Sequence, residues 1–139
     1  MKVLAVILLA LASLFNSGKS FSEEGRASYY SDKLHGRKTA SGQRYNKYLF
    51  TAAHATLPFN TLLQVTNLEN GKSVTVRIND RIPKNEKKVI DVSKAAAREI
   101  GMLAYGMVPV RLQEVQEQYQ NILPAVDSIE LLTPIQTTL

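Results

Sequence analysis

The chain has 139 residues, 45% of them hydrophobic, and its 17 Lys and Arg against 12 Asp and Glu give a formal charge of +5. That size suits one compact domain with short extensions, and the composition is not that of a disordered chain. With no Cys, neither a disulfide scaffold, a thiol nucleophile nor lipid attachment through Cys is expected, and with only His35 and His54 as imidazoles neither is a structural zinc site.

Lys2 precedes an apolar run from Val3 to Phe15. One positive charge before a short apolar stretch is the pattern of a secretory signal peptide. The run is shorter than the roughly 20 residues a membrane-spanning helix needs, so no stable membrane anchor is expected. A buried N-terminal helix is the alternative, but an all-apolar helix needs a larger protein around it. Small residues at Gly18 and Ser20 suit cleavage before Phe21. The expected organisation is a leader over 1–20, a domain over 21–115 and a tail over 116–139. Loss of Lys2 and Lys19 with the leader leaves a modest positive charge, which suits an anionic envelope or a nucleic acid. No Lys/Arg stripe interleaved with aromatics is present, so nucleic acid is not an expected partner.

Residues 26–30 (Arg-Ala-Ser-Tyr-Tyr) read as a short strand ended by Ser31-Asp32-Lys33. Residues 35–47 read as a long polar loop, and such a loop in a compact domain is usually functional. Thr51–His54 reads as an apolar strand. Leu63, Val65 and Asn67 alternate with polar residues, as do Val74, Val76 and Ile78, and Asn70-Gly71 between the two runs suits a tight hairpin turn. Val89–Val92 is another strand. Ser93 suits the N-cap of a helix over Lys94–Ile100, with Gly101 as its stop. Val108–Val115 is the last strand, and the tail with Pro124 and Pro134 has no strong period. Short strands, one short helix and long loops suggest a small β-barrel with a single helical crossover.

No Gly-x-Ser-x-Gly element is present, and Ser41-Gly42 in the loop is too ordinary to make a nucleophile, so carboxylates are the stronger candidates. Asp80, in Asn79-Asp80-Arg81-Ile82-Pro83, follows the strand Ser73–Ile78, where a side chain is delivered to the barrel rim; Asn and Asp before Pro also form ordinary turns. Asp91 lies just before the helix cap, where its plain role is to complement the helix dipole. His54 is either a satisfied core histidine or a participant. Tyr29 and Tyr30 are suited to stacking on sugar rings. As neighbours on a strand, at most one of them should line a groove.

In this order, Gly25-Arg26-Ala27-Ser28-Tyr29-Tyr30, His35-Gly36-Arg37-Lys38-Thr39-Ala40-Ser41-Gly42, Thr51-Ala52-Ala53-His54, Leu57-Pro58, Val65-Thr66-Asn67-Leu68, Val76-Arg77-Ile78-Asn79-Asp80-Arg81 and Ile90-Asp91-Val92-Ser93 resemble the RlpA (rare lipoprotein A) family over residues 25–115. The resemblance implies a mainly β fold, a six-stranded double-psi β-barrel with one short helix, related to expansins and to the transglycosylase MltA. It implies a peptidoglycan lyase in the periplasm or cell envelope, without a cofactor. Such an enzyme cleaves MurNAc–GlcNAc bonds, preferring glycan stripped of stem peptides, and leaves 1,6-anhydro ends without using water. One carboxyl group can serve: it protonates the leaving oxygen and then accepts the proton of the sugar's own 6-hydroxyl. Ordinary hydrolysis generally wants two. By position, Asp80 matches the family's acid/base and His54 its important histidine. Gln43, Asp91, Tyr30 and Arg81 are the expected substrate-binding residues.

The chain departs from the family pattern at three residues. Gln43 stands where active members often carry Glu, and Gln cannot exchange a proton. Ile82 and Ser31 replace frequent glycines. The anchoring Cys and the C-terminal SPOR domain of longer members are not expected. A non-catalytic, expansin-like peptidoglycan-binding module is the second reading, favoured by Gln43. An envelope interaction domain using the tail is the third.

Overall fold

A computed structural model describes residues 20–84 and 87–115. The expected leader, apart from Ser20, and the 116–139 tail lie outside the described residues. The elements are β1 (Ser22–Tyr29), a 3-10 turn (Asp32–Leu34), β2 (Thr51–His54), β3 (Leu62–Asn67), β4 (Ser73–Asp80), β5 (Ile90–Val92), helix α1 (Lys94–Glu99) and β6 (Val108–Glu114). The six strands close into a barrel in the order β1-β5-β2-β4-β3-β6. The pairs β1–β5 and β2–β4 are parallel and the other four antiparallel.

Alternation explains which side of each strand is inside. Leu63 and Val65 of β3 register with Val76 and Val74 of β4, and all four are buried with Ile78, Ile90, Val92, Val108, Val110 and Leu112 in the core. Helix α1 starts where Ser93 Oγ accepts the Ala96 N–H at 3.2 Å and stops at Gly101, φ +69°. Ala96, Ala97 and Ile100 turn into the core, closing that end of the barrel.

Three details differ from the sequence-based expectation. β1 begins at Ser22 rather than Arg26, because β6 offers partners from Ser22↔Gln113 onward; the charges of Glu23 and Glu24 hide that stretch from a hydrophobic pattern. The hairpin turn is longer than a two-residue turn. Gly71 (φ +75°) is left-handed while Asn70 is not, and the Gly71 N–H reaches back to the Asn67 carbonyl at 2.8 Å. The side chains of Asn67 and Asn70 both donate to the Ile100 carbonyl at the end of α1, a docking role that a minimal turn would not provide. Finally, β4 continues past Ile78 to Asp80.

Candidate functional site

A bulge decides where Asp80 points. Val74, Val76 and Ile78 face the core, so strict alternation would turn residue 80 inward too. The β2–β4 pairing slips by one residue, from Ala52↔Ile78 to Ala53↔Asp80. The extra residue, Asn79, places Asp80 on the outer face, as bulges commonly re-aim a side chain. There it completes a row across four strands: Ser28, Asp91, Ala53 and Asp80, each registered on the next. The two acids stand two strand spacings apart, about 10 Å between Cα atoms. Only the methyl of Ala53, fully buried, lies between them in the row.

The Asp80 carboxylate is held by short contacts. Its Oδ1 accepts the N–H groups of Ala40 and Arg81, both at 2.8 Å, and its Oδ2 accepts the Tyr30 hydroxyl at 2.5 Å. Ala40 reaches Asp80 because the 36–45 loop is laced like a hairpin. Gly36 N–H donates to Tyr45 O, Tyr45 N–H to Arg37 O and Thr39 N–H to Gln43 O, each at 2.8 Å. Gly42, at φ +89°, makes the reversal. The Tyr30 ring stacks on buried Tyr45, centroids 4.4 Å apart, and the Tyr45 hydroxyl accepts the Lys94 N–H at 3.1 Å. Burial, then the hydrogen bond to Asp80 and its charge, push the Tyr30 phenol far above its ordinary pKa. The hydroxyl therefore keeps its proton and acts as a donor.

Asp80, Tyr30 and Leu34 form the waist of a groove with two arms. One arm, about 190 Å³, is bordered by Arg37, Lys38, Thr39 and Tyr45. The other, about 240 Å³, is bordered by Tyr29, Ser31, Arg81, Ile82, Lys88 and Asp91. In the second arm Asp91 accepts from the Ser28 hydroxyl and from Lys88 Nζ, the latter at 2.6 and 2.8 Å. The carboxylate thus has a cationic partner three residues before it in the chain. Arg81 lays its guanidinium 4.1 Å from the Phe59 ring centroid and reaches the carbonyls of His54 and Asp80.

Of the expected site residues, Asp80, Tyr30, Arg81 and Asp91 share this groove; Gln43 and His54 do not border it. The Gln43 amide oxygen accepts from Arg77 at 3.0 Å and from Asn79 Nδ2 at 3.3 Å, behind the bulge. His54, 4% exposed, lines a neighbouring depression of about 370 Å³ with Phe21, Glu23, Thr56, Lys84 and Lys88. Its Nδ1 accepts the N–H groups of Thr56 and Leu57 at 3.2 and 3.0 Å. That leaves Nε2 to carry the hydrogen and donate to Glu23 at 3.1 Å. The two tyrosines point opposite ways, as strand alternation expects: Tyr30 reaches Asp80 in the groove, while the Tyr29 ring packs against the core and its hydroxyl donates to the Leu103 carbonyl at 3.0 Å. Ser28, Ala40, Ala53 and Lys88 escaped the sequence reading. The legible hint was an acid at an inward-facing parity in β4, which requires a bulge or a strand end.

A family model described as lytic transglycolase matches residues 22–112. The endolytic peptidoglycan transglycosylase RlpA of Haemophilus influenzae is 55% identical over 98 residues, 70% of this chain and 34% of that protein. The chain belongs to the RlpA family. It spans about a third of the length of that relative. Two solved structures share the fold: the Streptomyces papain inhibitor (TM-score 0.55, 23% identity, 69% of this chain and 96% of that one), and a mutant expansin of Clavibacter michiganensis in complex with cellohexaose (TM-score 0.56, 20% identity, 70% and 52%). The six-stranded double-psi barrel expected of an RlpA-type chain is therefore present. Of the three departures from the RlpA pattern, Ser31 and Ile82 border the groove and Gln43 lies behind it.

Proposed function

We propose that this protein is an exported RlpA-type endolytic lytic transglycosylase that cuts the MurNAc–GlcNAc bonds of peptide-free peptidoglycan strands in the cell envelope, with Asp80 as its acid/base. One observation carries the reading: the arrangement of donors around the Asp80 carboxylate. Two backbone N–H groups occupy both lone-pair directions of Oδ1, and Tyr30 occupies one direction of Oδ2. The remaining Oδ2 position is the one from which a proton passes to the glycosidic oxygen. As the C1–O bond breaks, the leaving sugar departs with that proton. The freed carboxylate then accepts the proton of the 6-hydroxyl while O6 closes on C1, giving the anhydro ring and restoring the acid. Tyr30 stays protonated throughout and orients the carboxyl group. Asp91, held by Lys88 and Ser28, is assigned to substrate contact along the groove with Arg81.

His54 is placed in a supporting role, because both of its nitrogens already serve the turn after β2 and Glu23. Gln43 braces the bulge, so its lack of an exchangeable proton does not interrupt the Asp80 chemistry.

The test is release of anhydro-muropeptides from intact and amidase-treated sacculi, read by mass spectrometry. Asp80→Asn keeps an acceptor for the two amides and removes the proton site. Product release should fall by at least about 100-fold, within the range for loss of a general acid/base, with the thermal melt retained. Sacculus binding without any anhydro product from the wild-type chain would show a non-catalytic module instead.

A further inference from the structure

The two arms of the groove differ in charge. The arm beyond Tyr30 is bordered by Arg37 and Lys38, and its one acid is Asp80, which already has three donors. Neither cation has a carboxylate partner among the described residues; the ion pairs there involve Lys47, His54, Lys88, Lys94 and Arg111. The opposite arm sets Arg81 and Lys88 against Asp91, and Lys88 is paired with it. The backbone beneath the two uncommitted cations is fixed. Arg37 N–H donates to Leu34 O at 2.9 Å, Arg37 O accepts from Tyr45 N–H, and Lys38 bridges to Arg44 across the loop. A guanidinium and an ammonium on a preorganised hairpin offer a planar fork and a point charge to one anion, and a carboxylate fits both.

We infer that the Arg37/Lys38 arm is a subsite for a sugar carrying a free carboxylate. The inference rests on the proposed function for the polymer; the charge asymmetry stands without it. In a strand of alternating MurNAc and GlcNAc, only MurNAc bears a carboxyl group, on its lactyl ether. That group is free only where no stem peptide has been joined to it as an amide. The arm would thus select peptide-free strands and also set which sugar of each pair lies on that side of Asp80. Stem peptides carry carboxylates of their own, and the test separates the two sources.

Binding is the appropriate readout, because a catalytically silent protein still binds; failure here and failure of the enzymatic reading are then distinguishable. The full chain is titrated with chitotetraose, with the peptide-free peptidoglycan tetrasaccharide and with the same tetrasaccharide bearing stem peptides. The peptide-free acidic ligand should bind at least about tenfold tighter than the neutral one, and added salt should shrink the preference. In Arg37→Ala/Lys38→Ala the preference should fall to near unity with the thermal melt unchanged, since both side chains are exposed. Equal affinity for the neutral and acidic ligands overturns the inference, as does a preference that survives the double substitution. An equal gain by the peptide-bearing ligand assigns the anion to the peptide and overturns the sugar-borne site.

Discussion

Tyr30 is protonated for two reasons that act in the same direction: partial burial penalises the phenolate, and the Asp80 carboxylate both accepts its hydrogen bond and repels its negative form. A phenol whose folded-state pKa lies above its unfolded value of ~10 stabilises the fold fully below that pH. The contribution is lost as the pH rises from there toward the folded value. Tyr45 is shifted upward as well, chiefly by burial, and shares the alkaline loss. Tyr30→Phe keeps the ring on Tyr45 and deletes only the hydroxyl. Between pH ~9 and ~11 its melting temperature should fall less steeply than that of the wild type. At neutral pH its rate of anhydro-product release should drop about tenfold, the usual scale for one charge-assisted hydrogen bond at a reacting group. Melting curves that decline in parallel above pH ~10 would sink the titration argument.

At the scale of elements, the end of β2 turns on His54. Its ring accepts two successive amides, at Thr56 and Leu57, and its carbonyl accepts from Arg81, the residue after Asp80. Asn places an amide oxygen close to where the imidazole Nδ1 stood and makes the same kind of local turn. His54→Ala should therefore cost about 1–3 kcal/mol of stability, since the buried Leu57 N–H loses its acceptor and the more accessible Thr56 N–H loses its own. His54→Asn should recover most of that and retain product release within about threefold of wild type, without moving the pH–rate profile. If Asn proves as inactive as Ala while folding normally, His54 carries a proton after all. The same element shows what a sequence can and cannot convey. The β3–β4 hairpin and α1 were legible because their patterns are local: alternation either side of Asn70-Gly71, and Ser93 and Gly101 bracketing an Ala-rich turn. Asp80 was legible as an acid at a strand end. Its outward aim was not, because the bulge exists only in the pairing with β2, and its donors Tyr30 and Ala40 lie 50 and 40 positions away. Arg37 and Lys38 looked like loop charges until Tyr45, Tyr30 and Asp80 were brought beside them.

For the molecule as a whole, closure depends on contacts far apart in the chain. Among the described strand pairs only β3–β4 is a simple hairpin; β1, the first described strand, is zipped to β6, the last described, from Ser22↔Gln113 to Ala27↔Val108. β6 also pairs with β3, so it is a closing stave rather than an added edge. Val108, Val110 and Leu112 are completely buried core residues. Removing the strand would strip all three from the core, at roughly 1.5–3 kcal/mol each, and would expose the facing edges of β1 and β3. That sum is comparable to the whole stability of a small domain, about 5–15 kcal/mol. Without β6 the row Ser28–Asp91–Ala53–Asp80 would lose its frame, even though none of those four residues lies on β6. A fragment covering 20–107 should show no cooperative melt and no sacculus binding. A fragment covering 20–115 should melt in one transition and keep both the binding and the Asp80-dependent release of anhydro ends. Circular dichroism melts of the two, beside the product assay, decide it: a folded 20–107 fragment would mean that the site does not need β6.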